Sequence, residues 1–407
     1  MRKLQFAVFA LAMCLITAPG AFAADTIKVG VPLAMTGSYT GAGENYWQGI
    51  KMAIDEINEG GGLLGKQLEV VRFDSKEYAP EVVMQGADYL CGQMKVASVQ
   101  AGWSGWGQDV RAYGKYDQPF FCDDGSEAAV QVFREDPEKY GNIFQLTDTG
   151  INQAKSMFRV LMALPQKHHN NKVVIINTDD AWGTEVGDTM VESFKEKGWD
   201  VAKRETVPYG TIEWGPILTQ IRKIDPAIIH VEIPSSQEVI TFFRQFMKAP
   251  TNSVLSYGWS IVPREVMDTL GKEADGLIGE MPTAMPGPKA PNAKAQAWVD
   301  KFEKLYGHSP QGGSWAVYSG VMAWANAVKA VGDETKFKEI NKYIQEHGYV
   351  GETGLWKWDA DNVVRAGGDV PVGHYQVQNG QLVCIYTDPP TKPYADYKYQ
   401  TPPWIKN

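Results

Sequence analysis

Lys172-Val173-Val174-Ile175-Ile176-Asn177 is apolar almost from end to end, and Ala227-Ile228-Ile229-His230-Val231-Glu232-Ile233 repeats the pattern further along. Short, unbroken apolar runs predict strands covered on both faces, the mark of a parallel sheet. The segments around them fit that reading. A helix is expected over 184–197, with Gly198 beyond its end, and a strand over 199–207. A helix over 238–247 and a strand over 253–257 follow. Upstream, 151–164 reads as a helix closed by Pro165. The same rhythm runs from residue 27. Ile27-Lys28-Val29-Gly30-Val31-Pro32-Leu33 alternates with period two, Ile50, Ala53, Ile54 and Ile57 keep helical spacing, and Gly60-Gly61-Gly62 stops that helix. Strands at 68–74, 96–100 and 120–122 alternate with helices from Pro80 and over 108–116. Two blocks of βαβ units predict an α/β protein with two doubly wound parallel-sheet lobes.

The prolines of Met281-Pro282-Thr283-Ala284-Met285-Pro286-Gly287-Pro288 forbid helix and central strand alike, so this stretch reads as a linker. Helical patterns follow at 293–306 and 316–331. Asn379-Gly380 marks a hairpin turn near 375–386, and the Pro- and Tyr-rich 389–407 reads as a tail lying over a lobe.

The first residues read as a leader. Arg2 and Lys3 precede an apolar run from Leu4 to Ile16, and Ala21-Phe22-Ala23 supplies the small residues of a cleavage site, so residues 1–23 are expected to be a signal peptide cut after Ala23. The run is short of the roughly 20 apolar residues that span a bilayer, and a lipid-anchored reading at Cys14 lacks a proper preceding signature. The product is therefore expected to be exported, without membrane insertion. Export leaves Cys91, Cys122 and Cys384, an odd number. Cys91 with Cys122 is the candidate disulfide, and three separate buried thiols are the alternative. A net charge of −9 among 407 residues excludes a nucleic-acid binder, which would carry a basic face.

In open α/β sheets a ligand sits beyond the carboxyl ends of the strands. There this chain carries Ala101-Gly102-Trp103-Ser104-Gly105-Trp106-Gly107 and Asp123-Asp124-Gly125-Ser126-Glu127. Glycines let backbone amides approach a ligand, Ser104 adds a hydroxyl, and a following helix would aim its N-terminus at an anion. Ser or Asp before a helix is as readily a cap. Trp103, Trp182 and Trp259 follow strands in such loops and are read as contact residues; Trp199, Trp298 and Trp324 are read as core.

Together these features resemble the type I periplasmic solute-binding proteins, in particular the leucine/isoleucine/valine-binding family of ABC transporters. Ile27–Val31 with Met35-Thr36-Gly37 resembles that family's first strand and ligand loop. Ile54-Asp55-Glu56-Ile57-Asn58 with Gly61-Gly62 and Gly65-Lys66 resembles its first helix and turn, Phe73-Asp74-Ser75 its second strand end, and Asp179-Asp180-Ala181-Trp182-Gly183 the loop that opens its second lobe. The resemblance implies lobes joined by a hinge of about three crossovers: 26–147 plus 280–358, and 148–279 plus 359–388. It implies a small-molecule ligand held by Ser104, Gly105, Ser126 and Glu127 from one lobe and by Trp182 and Trp259-Ser260 from the other. It also implies a periplasmic monomer that delivers to an inner-membrane permease, with no cofactor, metal or catalytic residue. Trp259 stands where the family commonly has an acidic residue for an amino acid's ammonium, so Glu127 or Asp180 would supply that anion, or the tryptophans would form an apolar or cation-binding box.

The rival is a secreted hydrolase. Gly102-Trp103-Ser104-Gly105-Trp106 misses the G-x-S-x-G elbow at its last position, and no G-x-G-x-x-G follows the first strand. A third reading, a sensor ectodomain, needs a membrane-bound partner.

Overall fold

The computed structural model describes residues 25–406, apart from 38, 234, 259–263, 282–292, 309, 311, 353, 365–371 and 389–398. The leader, most of the proline-rich linker, Trp259 and Ser260 lie outside the described residues.

The first sheet holds β1 (Ile27–Leu33), β2 (Leu68–Asp74), β3 (Ser98–Gln100), β4 (Phe120–Cys122) and β5 (Ile143–Gln145), in the order β2-β1-β3-β4-β5 with every pairing parallel. Its connections are α1 (Thr40–Glu59), α2 (Pro80–Ala87), α3 (Gln108–Tyr113) and α4 (Glu127–Glu135). Strands β3 to β5 are three residues long and wholly buried.

After α5 (Gly150–Ala163) the second sheet is built from β6 (Lys172–Thr178), β7 (Asp200–Val207), β8 (Ile228–Glu232), β9 (Val254–Tyr257) and β10 (Ile278–Met281). Helices α6 (Ala181–Glu196), α7 (Gly215–Ile224), α8 (Ser236–Met247) and α9 (Arg264–Leu270) connect them. Both quoted apolar runs are central strands, fully buried from Val173 and from Ile228 onward.

The chain then returns to the first lobe. Helices α10 (Ala293–Tyr306), α11 (Gly312–Val331) and α12 (Phe337–His347) are followed by the short pair β11 (Tyr349–Val350) and β12 (Leu355–Trp356). α11 lies directly on α1: a Cβ on Gly49 would sit 2.1 Å from the Ser314 carbonyl oxygen. Trp298, Trp315 and Tyr318 knit α10 to α11, with the two indoles 4.4 Å apart and edge-on. The stretch through Val364 still belongs to this side. Gln145 N donates to Asn362 O (2.9 Å), Val364 N donates to Gln145 O (3.1 Å), and Trp358 wedges against Phe121 and Phe144. The expectation that the second lobe resumes at 359 is thus corrected for 359–364, because Trp358 pins that segment to the first sheet.

β13 (Val372–Gln378) and β14 (Gln381–Asp388) complete the second sheet, ordered β14-β13-β10-β9-β8-β6-β7, with β13 antiparallel to both its neighbours. Asn379 and Gly380 turn the hairpin at φ 55° and 75°, the left-handed pair that a tight two-residue turn requires. Residues 399–406 fold back on this lobe: Trp404 packs on Phe243 and Phe246 and donates to Ser253 O at 2.9 Å.

Cys91, Cys122 and Cys384 are free, buried thiols. This corrects the candidate Cys91–Cys122 disulfide. Burial among apolar side chains pushes the Cys91 thiol up to about 12, so it is an inert packing group.

Candidate functional site

The strand ends of the two sheets face each other across a cavity lined from both lobes, the setting of small-molecule sites. The loop after β3 supplies Trp103 and Trp106. Gly102 is obligatory there, because a Cβ would fall 2.1 Å from the ring of Tyr46. Gly105, Trp106 and Gly107 then follow one another at φ 129°, 50° and 96°. A tryptophan at positive φ is strained and needs its surroundings to hold it. Gly107 N provides the hold by donating to Asp109 Oδ1 (3.0 Å) and Asp124 Oδ2 (3.2 Å).

The loop after β4 supplies Asp123, Asp124 and Gly125, and the one after β5 supplies Thr147. Asp123 Oδ2 accepts from the Tyr46 hydroxyl at 2.8 Å. Asp124 Oδ1 and Thr147 Oγ1 are buried and have no hydrogen-bond partner among the described residues. Tyr39, at the head of α1, completes this wall, with its ring 5.6 Å from that of Trp103 and edge-on to it.

From the second lobe come Gln153 of α5, Asp180 and Trp182 at the start of α6, and Tyr209 after β7. Asp180 caps α6, accepting from Gly183 N at 2.8 Å and from the Thr178 hydroxyl. Trp182 leans on Gly150, where a Cβ would crowd its indole at 3.0 Å. Tyr209 meets Tyr39 across the gap with ring centroids 5.6 Å apart.

Of the residues named from the sequence, Trp103, Trp182 and Asp180 line this cavity, and Ser104, Gly105, Ser126 and Glu127 do not. Ser104 donates its hydroxyl to Asp109, and Gly105 serves the turn. Ser126 is the cap of α4, accepting from Ala129 N at 3.2 Å. The Glu127 carboxylate pairs with Arg134 and accepts from Gln131. For the serines the local partner, a neighbouring carboxylate or a helix amide, prevails over the cavity. Sequence reasoning missed Tyr39, Trp106, Asp123, Asp124, Thr147, Gln153 and Tyr209 as wall residues. One signal was present: Asp123-Asp124 directly follows a buried strand, and Trp106 lies between two glycines in the adjacent loop.

Among the described residues the lining carries three carboxyl groups and no Lys, Arg or His. Burial pushes the Asp123 carboxyl up to about 7, and burial with Asp109 as neighbour raises Asp124. Glu185 of α6 accepts from Glu127 N (3.1 Å) across the lobes and from Ile151 N (3.0 Å); burial nevertheless raises it to about 7. A carboxyl raised in the folded state keeps a proton that the unfolded chain, near pH 4, has released. Its contribution to stability is therefore present below about pH 4 and lost as pH climbs through about 7. Asp109, Glu232 and Glu280, also raised by burial, act in the same direction. The unliganded protein is expected to melt at progressively lower temperature from pH 4.5 to 7.5 (roughly the window between the two states). Asp123→Asn is expected to flatten that slope, as read by thermal denaturation across the series.

Compared with known proteins, residues 26–369 match the family model described as periplasmic binding protein. The chain is 21% identical over 392 residues to the amino acid binding protein of Pseudomonas aeruginosa, covering 91% of this chain and 94% of that one. Among solved structures it resembles the branched-chain amino acid transporter substrate-binding protein of Streptococcus pneumoniae in complex with isoleucine, at TM-score 0.76 and 22% identity, covering 88% of this chain and 98% of that one. It also resembles a solute-binding protein of an R. palustris ABC transporter in complex with benzoate, at TM-score 0.75 and 19% identity, covering 90% and 97%. Likenesses at this identity speak for the shared fold.

Proposed function

The chain belongs to the periplasmic binding protein family, and from that premise we propose that it is the exported solute-binding component of an ABC uptake system. It takes a small polar or amphipathic solute between its lobes, closes on it, and presents the closed form to an inner-membrane permease. The observation that carries this reading is the shared cavity: Trp103, Asp124 and Thr147 come from one lobe, Trp182 and Asp180 from the other, and Tyr39 touches Tyr209 across it. Walls drawn from two lobes reward closure only when something fills them. Capture without chemistry suits the site better than hydrolysis, since the Ser104 hydroxyl is engaged by Asp109 and stands outside the lining.

The test is small-angle scattering of purified protein with and without the solute it retains, identified by mass spectrometry after denaturation. Compaction on rebinding is the expected result; an unchanged radius of gyration with solute bound would exclude closure.

Glu185 offers a finer check. Its carboxylate joins the α5 and α4 N-termini, one on each lobe. Charge-assisted bonds of this kind are worth about 1.5–3 kcal/mol. Glu185→Ala is therefore expected to favour the open form, weakening solute affinity roughly tenfold or more while leaving the cavity walls in place, as measured by calorimetry.

A further inference from the structure

We infer that the cavity selects an organic cation, an amine or quaternary ammonium compound, rather than an amino acid or a carboxylate. This rests on the solute-binding reading above and names its ligand class.

A helix N-terminus can hold a ligand anion only where its N–H groups are free. In this chain one such group at each of four helix starts is already taken by the chain's own acids. Gly107 N, ahead of α3, is shared by Asp109 and Asp124. Gly183 N of α6 goes to Asp180. Glu127 N of α4 and Ile151 N of α5 both go to Glu185. A carboxylate entering the cavity would meet acid oxygens at these positions, and among the described residues no basic side chain lines the walls to offset them.

The same walls suit a cation. Asp123, Asp124 and Asp180 surround the space together with the rings of Tyr39, Trp103, Trp106, Trp182 and Tyr209. Aromatic faces attract a desolvated cation, and a cation held there would draw Asp123 and Asp124 back to the charged form that burial alone disfavours. Two buried atoms on these lining residues have no partner among the described residues. Asp124 Oδ1, on a side chain 6% exposed, accepts from nothing, and Thr147 Oγ1, on one 4% exposed, has no bond. Buried polar atoms in native proteins are normally satisfied, so an open acceptor and an open hydroxyl in one lining point to a donor-bearing ligand. A metal ion does not fit: among the described residues no group of His, Cys, Asp and Glu could hold one.

The experiment is calorimetry and thermal shift on the purified full chain, freed of retained solute, with choline, ethanolamine and putrescine as cation probes and leucine and benzoate as counter-probes. At least one cation is expected to bind saturably, and more tightly than leucine and benzoate by roughly a hundredfold or more, since the acids reject a carboxylate. Asp124→Asn, equal in shape, is expected to weaken that cation by about 10- to 100-fold. Asp180→Asn, which keeps an oxygen for the Gly183 cap, provides a second variant should the first fold poorly. Leucine or benzoate binding more tightly than every cation, with compaction in scattering, overturns the ligand class and leaves the carrier reading standing. Failure of all five probes also overturns the class. If no small molecule is then released from the protein as purified, the carrier reading falls with it.

Discussion

Trp103→Ala is expected to leave a folded protein that has lost its solute, with affinity reduced by about 30- to 1000-fold. Hot-spot aromatics at the centre of a binding site cost about 2–4 kcal/mol when truncated, and Trp103 has more than one task. It forms the wall after β3, and it supports Tyr39 at 5.6 Å and Tyr46 at 6.3 Å. Tyr39 in turn is the first-lobe partner of Tyr209. Removing the indole therefore opens the cavity and loosens the ring contact that joins the lobes. Trp103→Phe, which keeps an aromatic face, should stay within about tenfold of the parent. Calorimetry with the retained solute decides between them. Equal losses in both variants would mean that the wall matters only by its shape.

The largest stability effect is expected at Gly49. Its missing side chain is where α1 and α11 touch: an added Cβ would lie 2.1 Å from Ser314 O and 2.7 Å from Ser314 C. A backbone carbonyl has no rotamer to retreat into, so the helices must separate. That strips contact from Tyr46, Ile50, Trp315 and Tyr318, all part of one core. Gly49→Ala is expected to cost about 1–3 kcal/mol, and Gly49→Leu to prevent accumulation of soluble protein. Gly41 on the same helix is the control, since a Cβ there meets open space. Gly41→Ala should be neutral or stabilise by about 0.4–1 kcal/mol, by narrowing the unfolded ensemble. Thermal melts of Gly49→Ala and Gly41→Ala, with the soluble yield of Gly49→Leu, separate close packing from helix propensity.

The fold was legible wherever pattern was long enough to register. Lys172–Thr178 and Ile228–Glu232 announce buried parallel strands by their continuous apolar character, and Asn379-Gly380 announces its turn. Ile143–Gln145 was not legible: three residues carry no periodicity, and only the neighbouring β4 makes them a strand. Nor was the attachment of 359–364, which depends on Trp358 finding Phe121 and Phe144.

At the site, the tryptophans in glycine-rich loops were readable because few other roles suit a large ring there. The polar residues were not. Ser126 and Asp180 look alike in sequence, each before a helix and each a cap, yet only Asp180 also faces the cavity. Whether Asp124 spends both oxygens on nearby amides or keeps one for a ligand depends on distances that spacing does not encode. Trp259 and Ser260 lie outside the described residues, and their assignment remains as the resemblance implied it.

The tail that closes on Trp404 has a practical side. Residue 27 enters the first sheet, while 399–406 are fastened to the second by Trp404, by Gln400 N on Gln376 Oε1 (2.8 Å) and by Lys406 N on Asn252 Oδ1 (3.1 Å). Residue 27 and residues 399–406 are thereby tied to different lobes. A donor dye near residue 25 and an acceptor near residue 406 would read the approach of the halves directly by energy transfer, in single molecules and without touching the cavity.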